Sequence, residues 1–185
     1  MRRLGLALIL LSSACASAGY VRQAQPPVEE AKWVIAPRMK FVAQKNDTDC
    51  GWAVLDVLKH RWEAEHGSAP QAQPVVKTNK LTLTAGQLRQ LLEGYGLRAF
   101  VVAGTYDDLV LEIREGRPVI VGTFRRKDDV VLGHYQVVAG VARSGDGLLL
   151  IDPARGWHTQ SFAEFDKIWH LAKRVAIVAM PVNQD

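Results

Sequence analysis

The sequence predicts an α+β fold, and three observations carry that prediction. Apolar residues recur at helical spacing through the first half of the chain. Apolar, Val-rich runs bounded by polar turns fill the second half. Helices therefore come first and strands follow, joined by short turns that favour antiparallel pairing, with no internal repeat. With 185 residues, 48% of them apolar, the chain can bury one core, and no composition shift divides its body.

In chain order, Arg2 and Arg3 precede the apolar run Leu4 to Leu11, and small residues follow from Ser12 to Gly19. That order is the order of an export signal, and the run is too short to span a bilayer. Residues 1–18 are expected to be the signal. Two endings compete: Ala16-Ser17-Ala18 fits small-x-small cleavage, whereas Ser12-Ser13-Ala14-Cys15 resembles a bacterial lipobox with Ser where Leu is usual, favoured slightly here, which would lipidate Cys15. Residues 19–31, with Pro26-Pro27, read as a tether, and 32–185 as the folded domain. The expected location is outside the cytoplasm of a bacterium, periplasmic or lipid-anchored.

The formal charge is +4, and a leader carrying Arg2 and Arg3 but no acid leaves +2 on the mature chain. Such a balance implies no nucleic-acid partner. Arg125-Arg126-Lys127 is followed at once by Asp128 and Asp129 and is expected to be a solvated hairpin tip.

Trp33 to Ile35 and Lys40 to Val42 read as short extended pieces interrupted by Pro37. A helix follows from Cys50, with Asn46 to Asp49 able to cap it and Val54, Leu55, Leu58 and Trp62 at helical spacing; it is expected to end near Glu65, with Gly67 as the stop. Ser68 to Lys80 shows no periodicity and reads as a loop. Thr84 and Gln87 form a capping-box pattern ahead of Leu88, Leu91 and Leu92, and Gly94-Tyr95-Gly96 ends that helix. Leu97 to Val102 is a predicted strand. Thr105 and Asp108 open a third helix that buries Leu109, Val110 and Ile113. Strands are then predicted over Val119–Phe124, His134–Ala142, Leu148–Asp152 and Val175–Met180, with Ser144 to Gly147 as a hairpin turn. Ser161 and Glu164 cap a short helix bearing Phe162, Phe165 and Ile168.

Whichever way the leader ends, Cys50 is left alone in the mature chain, without a disulfide partner. An unpaired cysteine in an exported protein is either a reactive thiol or a buried, inert packing residue. Its predicted place in the first helical turn favours the first reading, because unpaired N–H groups and the macrodipole there stabilise a thiolate. Asp47 and Asp49 would oppose the thiolate and are expected to cap backbone groups or face solvent.

A thiolate nucleophile needs a base, and the base a third group that orients it. His60 and His66 lie too far along the Cys50 helix, while His158, expected in a loop, and His170 read as surface residues. His134 begins a predicted strand, and the hairpin through Ser144–Gly147 would bring it to the same rim as Asp152. Gln44 can donate an amide hydrogen bond to an oxyanion alongside the Cys50 N–H.

The pattern Gln44 to Gly51, then Gly133-His134-Tyr135, then Asp152-Pro153 with Gly156, together with Gly94-Tyr95-Gly96-Leu97 and Arg117 to Val121, resembles the C39 family of papain-like cysteine peptidases from about Phe41 to Met180. The resemblance implies a papain-like fold with the nucleophile helix packed on an antiparallel sheet. It implies Cys50 as nucleophile, His134 as general base and acid, Asp152 as its orienting partner and Gln44 as oxyanion donor, with no metal or organic cofactor. The best-known members are amino-terminal domains of peptide-exporting ABC transporters that cut leaders after Gly-Gly. This sequence departs from them in having no transmembrane bundle, no phosphate-binding loop and an export signal of its own. The expected function is an exported cysteine endopeptidase acting on a leader or secreted protein, with a peptide or protein substrate and secretion machinery as partners. Two alternatives stand beside it: a non-catalytic peptide-binding module of a secretion system, and a papain-like amidase or acyltransferase.

Overall fold

A computed structural model of the chain describes residues 24–66 and 82–182. The expected export signal, the first part of the expected tether, Gly67 and the expected loop at Ser68–Lys80 lie outside the described residues. No helix among those described is long and apolar enough to cross a membrane.

Among the described residues, four α-helices flank one antiparallel sheet. In chain order the elements are β1 (Trp33–Ile35), α1 (Cys50–His66), α2 (Ala85–Gly94), β2 (Leu97–Ala103), α3 (Tyr106–Arg114), β3 (Val119–Lys127), β4 (Val130–Ala142), β5 (Gly147–Asp152), β6 (Gly156–Ser161), α4 (Phe162–Leu171) and β7 (Val175–Pro181). The strand order is β2-β7-β3-β4-β5-β6. Along β4, the edge taken by β3 at Val130–Val138 is continued by β1 at Gly140–Ala142.

Alternation along the strands sorts the core onto two faces, because successive side chains point to opposite sides of a sheet. Ile120, Val137, Leu149, Ile151 and Ile177 pack with Val54, Leu55 and Leu58 of α1 and Leu88 and Leu92 of α2. Val119, Val121, Val138, Leu148 and Leu150 pack with Leu109 and Ile113 of α3 and Phe165 and Trp169 of α4. Both capping boxes form as the sequence predicts: Thr84 with Gln87 at α2, and Thr105 with Asp108 at α3.

Several expectations are corrected. Lys40–Val42 forms no strand. Val110 is half-buried rather than buried. Arg125–Lys127 is not the hairpin tip: β3 runs on to Lys127, the turn falls at Asp128-Asp129, and Asp128 takes the left-handed φ of 52° that Asp tolerates. His134 is accordingly the fifth residue of β4, not its first. Gly156–Ser161, with His158, is an edge strand paired with β5, and His170 lies exposed within α4.

Candidate active site

The loop before α1 holds itself together through the residues expected to cap the helix. Asp49 accepts hydrogen bonds from the backbone N–H groups of Lys45 and Asn46, both at 3.1 Å, and from Asn46 Nδ2 at 3.3 Å. Asn46 Oδ1 in turn accepts from the N–H and hydroxyl of Thr48. Asp47 is engaged across the fold by Arg125, whose Nη2 donates to its Oδ1 at 2.6 Å. Cys50 is then the first residue of α1 and is buried. A side chain on Gly51 would meet Leu83 Cβ at 3.0 Å, so the glycine lets Leu83 close against the first turn of the helix.

A β-bulge brings His134 and Asp152 to one face. Val141 pairs with Leu148 and Gly140 with Leu149, but the register then shifts, so that Val138 pairs with Leu150 and Val137 with Ile151. Continued one step, that register sets Asp152 opposite Gln136, on the side of β4 that also carries His134. Without the bulge Asp152 would face Val137, on the opposite side. The result is a buried bond in which His134 Nε2 donates to Asp152 Oδ1 at 2.8 Å. The Ala154 N–H donates to the same oxygen at 2.8 Å and fixes the carboxylate. With Nε2 engaged, Nδ1 is the nitrogen left for the thiol.

The electrostatics of the three groups reinforce one another. Burial pushes the Cys50 thiol up, but the hydrogen bond and charge of His134, with the N–H groups of Tyr135 and Gly51, more than offset it and hold the thiol below its ordinary range. Burial pushes His134 down, yet Asp152 and the thiolate outweigh burial and leave it above an ordinary histidine. Burial raises Asp152, whereas the His134 bond and charge and the Ala154 N–H lower it further, so it stays ionised. The Tyr135 phenol, buried beside the thiolate, is pushed up to about 12 and stays neutral.

Cys50 and His134 open onto a cavity of about 570 Å³, whose wall also includes Asp47, Leu83, Phe124, Gly133, Leu171 and Lys173. Asp152 is not in that wall. Gln44 is buried, its Nε2 donating to Asn46 O at 2.7 Å and its backbone N–H to Pro153 O at 3.0 Å. These bonds tie the loop before the thiol to the turn after Asp152. Gln44 does not line the cavity, and one of its two amide hydrogens is already used in the loop.

Of the other histidines, His60 is partly exposed near Glu63, and His170 is exposed. His158 is half-buried on β6, its Nδ1 near Gly156 O, and burial lowers it below an ordinary histidine. Sequence reasoning missed Arg125 as the partner of Asp47. It also missed the Gln136–Thr123 bond beside His134 and the Leu171–Lys173 part of the wall. All of these depend on strand register and on how the last turn folds, which no local pattern encodes.

A thiol at the start of a central helix, facing a histidine–aspartate pair on an antiparallel sheet, defines the papain-like cysteine peptidase class. The chain belongs to the Peptidase C39 family, which it matches over residues 38–183, and is a cysteine peptidase domain of the hydrolase class. It is similar to the peptidase domain of Streptococcus mutans ComA, with 23% identity and a TM-score of 0.53 over 76% of this chain and 98% of that one. The double-glycine motif protease of an AMS/PCAT transporter, solved with its leader peptide, is 18% identical with a TM-score of 0.57 over 80% and 94%. A C39-like peptidase from Bacillus anthracis is 16% identical with a TM-score of 0.58 over 82% and 99%. No curated protein matches the chain.

Proposed function

We propose that the chain is an exported thiol endopeptidase. His134 draws the proton from Cys50, the sulfur attacks a peptide carbonyl, and the protonated His134 returns the proton to the leaving amine. The amine leaves, and water activated by His134 hydrolyses the acyl-enzyme to release the acid and restore the thiol. Asp152 orients the imidazole and supports its positive charge. The Cys50 N–H and the remaining Gln44 amide hydrogen are assigned to the oxyanion, a role that asks the Gln44 side chain to reach past its loop bond. The domain runs from residue 32 to 185, after an export signal at 1–18, with the tether between them and Cys15 either removed or lipidated.

The observation that carries the reading is the buried 2.8 Å bond from His134 to Asp152, which leaves the other ring nitrogen for a thiol held below its usual range. Cleavage after small residues such as Gly-Gly is supported by the likeness to a double-glycine motif protease solved in complex with its leader peptide. A leader or secreted protein is the substrate assigned here, with secretion machinery as a partner. The test is cleavage of a peptide library by the purified domain. Wild type is expected to cut after small residues and Cys50→Ala to cut nothing; equal cleavage by the two proteins overturns the mechanism.

A further inference from the structure

The turn between α4 and β7 contributes Leu171, Ala172 and Lys173 to the cavity wall, and its backbone is unusual. Lys173 and Arg174 both take left-handed φ values, 55° and 50°, which non-glycine residues adopt only at a cost. Surrounding bonds hold them there. Arg174 donates through Nε and Nη2 to the two oxygens of Asp166, each at 2.8 Å. The N–H groups of Lys173 and Arg174 donate to His170 O and Trp169 O, each at 2.9 Å. Trp169, fully buried, donates its indole N–H to Val175 O at 2.9 Å. The turn is thus anchored in the core beneath it, while Leu171, 66% exposed, and Lys173 stand at the cavity.

The charges around the cavity give this turn a direction. Asp47, the carboxylate in the wall, is engaged by Arg125, whereas Lys173 makes no ion pair among the described residues. An unengaged ammonium beside an exposed leucine, fixed at the wall of a peptide-sized cleft, is complementary to a segment that carries an acid next to an apolar residue. We propose that Lys173 is a specificity-determining residue that selects an acidic side chain of the substrate peptide, with Leu171 packing against its apolar neighbour. The inference rests on the peptidase reading and adds the substrate chemistry at one subsite.

The experiment compares kcat/KM for paired peptides that carry Glu or its neutral isostere Gln at each position flanking a Gly-Gly pair. Wild type is expected to prefer Glu at one position by about fivefold, the size of an exposed ion pair. Lys173→Asn, which suits the left-handed backbone, removes that preference, Lys173→Glu reverses it, and Lys173→Arg retains it. All three variants keep cleaving the Gln peptides, because Lys173 touches no reacting atom. A wild type that cleaves without any preference for Glu overturns the inference and leaves the peptidase intact, as does an unchanged preference in Lys173→Glu. Failure of wild type to cleave any peptide overturns the peptidase reading, and the subsite with it.

Discussion

At the scale of single residues, the thiol environment is set by charges that reach it from several directions. Asp47 lies three residues before Cys50, and a free carboxylate there would raise the thiol; Arg125 answers it from 78 residues away in sequence. Arg125→Ala is therefore expected to move the pH dependence of Cys50 alkylation upward, and Asp47→Asn in the same protein to move it back. A profile that Arg125→Ala leaves unmoved would remove Arg125 from this account. Asp152 offers a second comparison. Asp152→Asn keeps an acceptor for His134 Nε2–H and should retain part of the peptidase rate, while Asp152→Ala should lose about a hundredfold or more; equal rates in the two variants would contradict an orienting role. The candidate residues were readable in the sequence because each is chemically distinctive: one thiol after a polar run, and one histidine on the strand before its acid. The burial of Gln44 in loop bonds was not readable, since the direction of a side-chain amide depends on atoms brought by folding.

At the scale of elements, the bulge in β4 is what brings His134 and Asp152 to the same side, and a glycine sits beside it. A side chain at Gly140 would lie 2.9 Å from Val34 O and 3.2 Å from Leu149 Cβ, where β1 crosses the end of β4. Gly140→Ala should lower unfolding free energy by about 1–3 kcal/mol, as overpacking does, measurable as a fall in the urea midpoint. No change in that midpoint would show that β1 is not held as described. Elements with local signatures were legible: the caps Thr84, Thr105 and Ser161 named the starts of α2, α3 and α4. β6 was not, because Gly156-Trp157-His158-Thr159 is polar on its outer side and owes its extension to pairing with β5. The same holds for the length of β3 and β4, whose outer ends, residues 125–127 and 130–132, pair with each other as a ribbon beyond the predicted strands.

At the scale of the whole molecule, the two-faced core supports a buried ion pair whose protonation is linked to folding. Asp152 is lower in the folded chain than unfolded, so its contribution to stability is present above the unfolded value, about 4, and is lost as pH falls through the folded one. Acid titration of the unfolding midpoint should thus fall less steeply below about pH 4 in Asp152→Asn than in wild type; parallel titrations would mean that Asp152 is not the group responsible. The α+β class was legible from the order of helical and extended patterns, but the division of the helices between the two faces was not, since that depends on strand order rather than on any single segment.

The central claim is that Cys50 is a thiolate made so by His134, and its most direct test is the rate of iodoacetamide alkylation at Cys50 against pH, assigned by peptide mass mapping. In wild type the rate should rise to its plateau below the usual thiol value of about 8.5, and in His134→Ala the same rise should move above it, because burial, the largest influence, is then opposed only by the backbone N–H groups of Tyr135 and Gly51. Superimposable profiles for the two proteins would contradict the account.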